Sequence, residues 1–133
     1  MNINIEERDN VQEFLPGLFK FLEDGLFSQA ILGITEKEIL FYNDHAPSNV
    51  SGGTLTYNVR MRLKIEEIDT VLNERIINNA DMAGLGRLNF ISGEESTVFY
   101  YFLDDKKLSK SFIDYLKAYG LPVQNRKVDL NKQ

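Results

Sequence analysis

The segment YNVRMRLKI, residues 57–65, alternates apolar and basic side chains from its third residue onward. In a β-strand, successive side chains point to opposite faces, so one face carries Val59, Met61, Leu63 and Ile65, and the other carries Arg60, Arg62 and Lys64. A period of two indicates a strand with one buried and one solvated face. The chain is therefore constrained to build a sheet that covers a core.

Other short segments have the length and composition of strands. The runs ILGI and ILFY, on either side of the polar turn Thr35–Glu38, predict a β-hairpin. Three further runs, rich in β-branched and aromatic residues, predict strands at 71–77, 85–91 and 97–103. Between the hairpin and the basic strand, residues 43–58 are rich in Asn, Ser and Gly, and we expect them to form a long exposed loop.

Two segments show helical spacing. Residues 5–24 carry apolar side chains at intervals of three and four, which predicts a helix that is kinked or restarted at Pro16–Gly17. A second helix is predicted after the last strand, capped by Asp104 or Asp105 and ended by Gly120 and Pro122. We expect the polar residues after it to be mobile.

Composition bounds the class of protein. The 133 residues include 20 acidic and 15 basic side chains, and a net charge of −5 argues against a broad basic surface for duplex nucleic acid. There is no cysteine, which fits a reducing compartment, and the first residues do not have the pattern of a signal peptide. No apolar run has the length of about 18 residues that a membrane span needs. We expect a soluble cytoplasmic protein.

No arrangement of residues in the sequence predicts catalysis. The single histidine, His45, follows Asp44 in the polar loop and has no second His or Cys to share a metal or complete a catalytic triad. Gly84 and Gly86 precede a strand pattern rather than a helix, so we expect them to allow a bulge or bend instead of a phosphate loop. The paired carboxylates lie in predicted turns or at a helix start. We therefore predict no catalytic residue, no metal ligand and no cofactor.

This succession of elements resembles bacterial pleckstrin-homology-like (PH-like) domains. In that family a hairpin with Thr at its turn opens the sheet, here Thr35 to Leu40, and an I-x-x-I-x-x-V pattern leads into the strand after the basic one, here Ile65, Ile68 and Val71. The resemblance covers roughly residues 26–119. It implies a partly open barrel of antiparallel strands, a capping helix, ligands held on loops or sheet edges, and no catalysis.

The predicted fold class is α+β, mainly β: a PH-like partly open barrel capped by a C-terminal helix, with an extra N-terminal helix. We expect residues 1–25 to be a helical segment packed on the domain, residues 26–120 to form the PH-like barrel and its helix, and residues 121–133 to be a polar tail.

The predicted function is a non-enzymatic module that binds a protein, which is either an unidentified partner or a second copy paired through a sheet edge. The alternative is an anionic lipid surface or small anion held by the candidate binding residues Arg60, Arg62 and Lys64. In the interpretation without a ligand, these cations lie on a solvated sheet face and pair with neighbours such as Glu74. The loop 43–58 is either a recognition loop or a tolerated insertion. A small enzyme is the least favoured hypothesis.

Overall fold

A computed structural model describes residues 2–22, 25–43 and 54–130. These residues form one α-helix, α1 (Lys106–Ala118), and ten β-strands: β1 (Asn2–Ile5), β2 (Glu13–Phe19), β3 (Ser28–Ile34), β4 (Glu38–Asn43), β5 (Thr54–Tyr57), β6 (Val59–Lys64), β7 (Thr70–Ile77), β8 (Leu85–Ser92), β9 (Glu95–Phe102) and β10 (Val123–Asp129).

Eight of the strands form one open sheet in the order β10-β7-β8-β9-β2-β3-β4-β6. The neighbours pair antiparallel, apart from β10, which runs parallel to β7. Strands β1 and β5 form a separate parallel pair. Because β6 and β10 lie at opposite ends of this order, they are the two edges of the sheet.

The sheet bends round its own core, so strands that are distant in its order face each other. Phe41 on β4 and Phe90 on β8 have three strands between them, yet their ring centroids are 6.2 Å apart. Phe19 and Phe99 complete this aromatic cluster, with Phe19 4.7 Å from Phe41. Helix α1 packs over β2 and buries Phe112 and Leu116 in the same core. The sheet is therefore covered on its concave side by the helix.

The predicted mainly β fold with a C-terminal helix is confirmed, and so are the hairpin and the basic strand. β3 and β4 pair antiparallel around the turn at Thr35, whose hydroxyl accepts a hydrogen bond from the Glu38 amide at 2.9 Å. The helix begins directly after Asp105, although that side chain makes no capping hydrogen bond, and it ends before Gly120, which has φ +91°.

The predicted N-terminal helix is wrong. Residues 13–19 form strand β2, which buries Leu15, Gly17 and Phe19 on the core side. Both faces of β2 are at least half covered by the protein, so apolar residues occur on both. The sequence of β2 therefore lacks the clean alternation of apolar and polar residues, and it fits helical spacing instead. Proline has no backbone N–H to donate to a neighbouring strand. Pro16 is tolerated in β2 because β2 pairs with β9 only at Gly17 and Leu18.

The predicted mobile tail is also wrong over residues 123–129, which form the edge strand β10. The sequence of β10 shows no alternation of apolar and polar residues, because Val128 is the one buried residue of this strand. This is why the strand was not predicted. β2 and β10 belong to the same sheet as the strands of residues 26–120. The boundaries at residues 25 and 120 stay a prediction.

The predicted loop at 43–58 falls largely outside the described residues. Asp44 and His45 lie outside them, as do Ser48 and Ser51. At the end of this range, Thr54–Tyr57 is strand β5 rather than loop.

Gly17 allows β9 to approach β2. A Cβ atom placed there would lie 1.9 Å from the carbonyl oxygen of Tyr100 and 2.6 Å from the ring of Phe99. We expect Gly17→Ala to lower the free energy of unfolding by about 3 kcal/mol, because backbone and a packed ring must both move. Urea unfolding measures the change. Gly84→Ala is the matched control, since a Cβ there meets nothing within 4 Å. Equal stability of the two variants would contradict this account of Gly17.

Candidate functional site

The basic strand β6 has the geometry that its sequence predicts. Arg60, Arg62 and Lys64 are exposed on one face, and the apolar residues between them are half-buried. No carboxylate in the described parts of the chain lies within ion-pairing distance of Arg60 or Lys64. The strand therefore offers two available cations, with Arg62 between them.

Arg62 is engaged by the protein itself. Its guanidinium donates hydrogen bonds to Glu7 and to Glu38, the latter at 3.1 Å. Glu7 is placed there by the N-terminal segment, which Tyr42 anchors by donating its hydroxyl to the Glu6 carbonyl at 2.6 Å. The hydrogen bond that Arg62 donates to Glu7 raises the pKa of Arg62 further above its usual value. Arg62 is consequently a structural cation, which weakens the predicted anion site.

The prediction that Glu74 pairs with the basic strand is wrong. Glu74 lies on β7, at the far end of the sheet from β6, and it pairs with Arg87 and Arg126.

A second basic surface lies between helix α1 and the strands β7 and β10. Here the concave face of the sheet and one face of the helix border two adjoining open depressions of about 440 and 520 Å³. We call them together the α1 groove. Both are lined by Asn73, Arg75, Tyr101, Leu103 and Asn125.

The helical wall of the α1 groove follows from spacing along α1. Lys106, Lys110, Ile113 and Lys117 recur at intervals of three and four, so they share one face of the helix. Phe112 and Leu116 occupy another face and are buried in the core. Because the core fixes the rotation of the helix, the three lysines are held beside the sheet.

Positive charge predominates in the α1 groove. Six cations line it against two carboxylates, Glu74 and Asp114. Both carboxylates are already ion-paired, Asp114 with Lys110 at 2.9 Å. Within the described residues, no ion pair reaches the four remaining cations, which are Arg75, Lys106, Lys117 and Lys127. An anionic group would complement them.

A directional chain of hydrogen bonds forms the floor of the α1 groove. The Tyr101 hydroxyl donates to the Asn73 side-chain oxygen at 2.7 Å, and the Asn73 amide nitrogen donates to the Asn125 side-chain oxygen at 3.0 Å. The chain ends in the amide nitrogen of Asn125, which is a donor. Burial raises the pKa of Tyr101, so its hydroxyl stays protonated and can donate at neutral pH.

Gly86 makes room for Tyr101. The two residues are paired across β8 and β9, and a Cβ atom at Gly86 would lie 2.3 Å from the Tyr101 ring. The register of β8 against β9 is continuous from Leu85 to Ser92. The bulge or bend predicted for Gly86 is therefore wrong, and close packing of an aromatic ring explains the glycine instead.

Glu74 fixes the β10 wall of the α1 groove. Its carboxylate is buried and accepts hydrogen bonds from Arg87 at 2.8 Å and from Arg126 at 2.6 Å. Arg126 lies on β10 and Arg87 on β8, so one carboxylate joins the three strands β10, β7 and β8. Arg87 also donates to the Tyr100 hydroxyl at 3.4 Å.

The sequence predictions missed the α1 groove because its cations come from three separate elements, α1, β7 and β10. The lysines at 106, 110 and 117 could have been recognised from their helical spacing. Arg75 and Lys127 could not, since only the parallel register of β10 with β7 makes them partners.

In the described residues, 2–22, 25–43 and 54–130, no three His, Asp or Glu side chains are placed to share a metal ion. No helix in them is both long enough and apolar enough to cross a bilayer.

No protein-family model and no curated protein matches the sequence. Among solved structures, the DH/PH domains of p115-RhoGEF are similar, with a TM-score of 0.50 at 8% identity, over 82% of this chain and 30% of that chain. The DH/PH domains of PDZ-RhoGEF, in complex with GTP-gamma-S-activated RhoA, have a TM-score of 0.47 at 8% identity, over 82% and 29%. The chain thus spans less than a third of the length of these proteins. The first likeness shows the fold alone, and that fold is PH-like.

Glu74 provides a test of the β10 wall. We expect Glu74→Gln to lower the free energy of unfolding by about 3 kcal/mol, because Arg87 would keep its charge in a largely buried site without a counter-charge. Chemical denaturation of both proteins measures this difference. The control is Glu38→Gln, which removes an exposed ion pair and should cost less than about 1 kcal/mol. A Glu74 variant no less stable than the Glu38 variant would refute the structural role.

The Glu7–Arg62 pair predicts a dependence on pH. The hydrogen bond from Arg62 lowers the pKa of Glu7 below its usual value, so the pair stabilises the fold above that usual pKa and ceases to do so as the pH falls through the lowered one. We expect Glu7→Gln to cost less than about 1 kcal/mol at neutral pH, since the pair is exposed, and nothing at an acidic pH below the lowered pKa of Glu7. Urea unfolding at both pH values checks the sign, and a cost that grows on acidification would contradict it.

Proposed function

We propose that this chain is a non-enzymatic cytoplasmic binding module that holds an acidic segment of a protein partner in the α1 groove. The proposal assigns no catalytic residue and needs no cofactor. It applies the function predicted for the bacterial PH-like family to one surface of this chain.

The observation that carries the proposal is the set of cations around the groove that have no ion-pair partner among the described residues. Arg75, Lys106, Lys117 and Lys127 line its two adjoining depressions, although the chain as a whole carries a net charge of −5. Such local excess charge attracts and orients a partner of opposite sign. The donor at the end of the Tyr101–Asn73–Asn125 chain adds a site for a carboxylate oxygen or a peptide carbonyl.

The shape of the α1 groove favours a protein segment over a small molecule. The groove is open along its length, and its cations come from both the helix and the sheet. A small ligand site encloses most of its ligand. An extended chain, in contrast, can lie along an open groove and reach several cations at once.

A second candidate function is the binding of an anionic lipid surface or a small anion at β6. Arg60 and Lys64 are exposed on the same face and have no ion-pair partner in the described residues. This candidate is weaker because Arg62, the middle cation, is held by Glu7 and Glu38.

The test uses a fluorescein-labelled dodecapeptide of alternating Glu and Thr, with the Gln and Thr peptide as its neutral counterpart. We expect the acidic peptide to bind and the neutral one to bind at least about tenfold more weakly by fluorescence anisotropy. The double variant Lys106→Glu/Lys117→Glu should weaken binding about tenfold or more, because it reverses charge on the helical wall. Arg60→Glu/Lys64→Glu is the matched control, since it changes the net charge by the same amount on β6.

Each of the other outcomes would refute binding of the peptide in the α1 groove. Equal losses in the two double variants would mean that binding follows net charge alone. A loss confined to Arg60→Glu/Lys64→Glu would favour the anion site on β6, and co-sedimentation with phosphatidylserine vesicles would then separate a lipid surface from a free anion. No binding of the acidic peptide would contradict the proposal.

A further inference from the structure

Strand β10 presents an unpaired backbone edge beside the α1 groove. It is the outermost strand of the sheet, and β7 is its one neighbouring strand within the described residues. Residues 124–127 are exposed. An edge strand of this kind has a row of N–H and C=O groups with which another strand can pair.

The register shows which backbone groups are unpaired. Val71 donates its amide to the carbonyl of Pro122 at 2.8 Å, and Val123 is level with Val71. Because backbone groups alternate in direction along a strand, Gln124 and Arg126 point their N–H and C=O groups toward β7. Asn125 and Lys127 therefore point theirs away from the sheet, along the outer edge.

The charges beside this edge select the partner. Arg126 and Lys127 lie on β10 itself, and Lys106, Lys110 and Lys117 line the adjoining helical wall. A second copy pairing through the same strand would bring the Arg126 and Lys127 side chains of both copies together, and like charges across a strand pair are destabilising. An acidic strand would instead meet Lys127 on β10 and the lysines of the helical wall, of which Lys106 and Lys117 have no ion-pair partner among the described residues.

The other edge of the sheet is less suited to this role. Arg62, in the middle of β6, is held against that strand by Glu7 and Glu38, so an incoming acidic strand would have to compete with them. The bulge between Phe41 and Tyr42 also makes the pairing of β4 with β6 irregular.

We infer that the acidic segment binds as an added β-strand, paired with the outer edge of β10 through the backbone groups of Asn125 and Lys127. This inference rests on the proposed function, and it adds the conformation and register of the partner. Main-chain hydrogen bonds then contribute affinity, and the neighbouring cations contribute the preference for acidic side chains.

The variant that tests the inference is Lys127→Pro. Proline removes the outward N–H while keeping a φ that an edge strand accepts, and the ladder with β7 does not use that group. Lys127→Gln is the matched control, because it removes the same charge and keeps the N–H. With the Glu and Thr dodecapeptide, we expect Lys127→Pro to bind about five- to tenfold more weakly than Lys127→Gln. Circular dichroism and thermal unfolding verify that both variants remain folded.

A second measurement needs no variant. The amides of Asn125 and Lys127 should exchange with solvent faster than those of Gln124 and Arg126 in the free protein, because only the latter pair with β7. Saturation with the peptide should slow the exchange at Asn125 and Lys127 by about tenfold or more, measured by NMR. A peptide of the same sequence with alternate N-methylated residues should lose both binding and protection.

The outcomes separate this inference from the proposed function. Equal binding by the Pro and Gln variants, with unchanged exchange at Asn125 and Lys127, would overturn strand addition. If Lys106→Glu/Lys117→Glu still abolished binding in that case, the groove would hold the peptide through side chains alone and the proposed function would stand. No binding of the peptide to the wild-type protein would refute both.

Discussion

The carboxylate of Glu74 is the contact on which the arrangement at one end of the sheet depends. It is buried and accepts hydrogen bonds from Arg87 and Arg126, so a single side chain joins β8, β7 and β10. Apart from its backbone pairing with β7, strand β10 has few contacts that hold it in place, because most of its side chains are polar and exposed and Val128 is its one buried residue. A buried charge is costly unless it is fully paired, and here both carboxylate oxygens have a cationic partner. The hydrogen bond between the Asn73 and Asn125 side chains adds a neutral contact between β7 and β10.

This anchoring separates the charges that hold the structure together from those that face solvent. Glu74 pairs with Arg87 and Arg126 at one end of the sheet, and Arg62 pairs with Glu7 and Glu38 at its opposite edge. Arg75, Lys106, Lys117 and Lys127 are left around the groove. A chain with an excess of acidic residues thus has a local basic surface. Net charge alone argues against a broad basic face, but it cannot reveal a local one.

The features that could be predicted from the sequence are the ones that depend on neighbouring residues. The alternation in β6, the Thr35 turn and the stripe of α1 each follow from side chains a few positions apart, and each is confirmed. The sequence of β2 predicts a helix because Phe14, Leu15, Leu18 and Phe19 fit helical spacing and lie on both faces of the strand, and only its pairing with β3 and β9 shows that it is a strand. Strand β10 was missed because its partner is some 50 residues away along the chain. The groove depends on that same distant pairing, so its cations could not be grouped from the sequence.

The Glu74 cluster also bears on how a chain of this kind can diverge. Replacing Glu74 leaves two arginines without their carboxylate, and replacing either arginine leaves one Glu74 oxygen without its cationic partner, so we expect these three positions to change together within a lineage. The lysines of α1 are solvated and make no such demand, so each can drift alone. Binding preference can therefore be revised one surface residue at a time, while the strand that frames the groove is inherited as a unit.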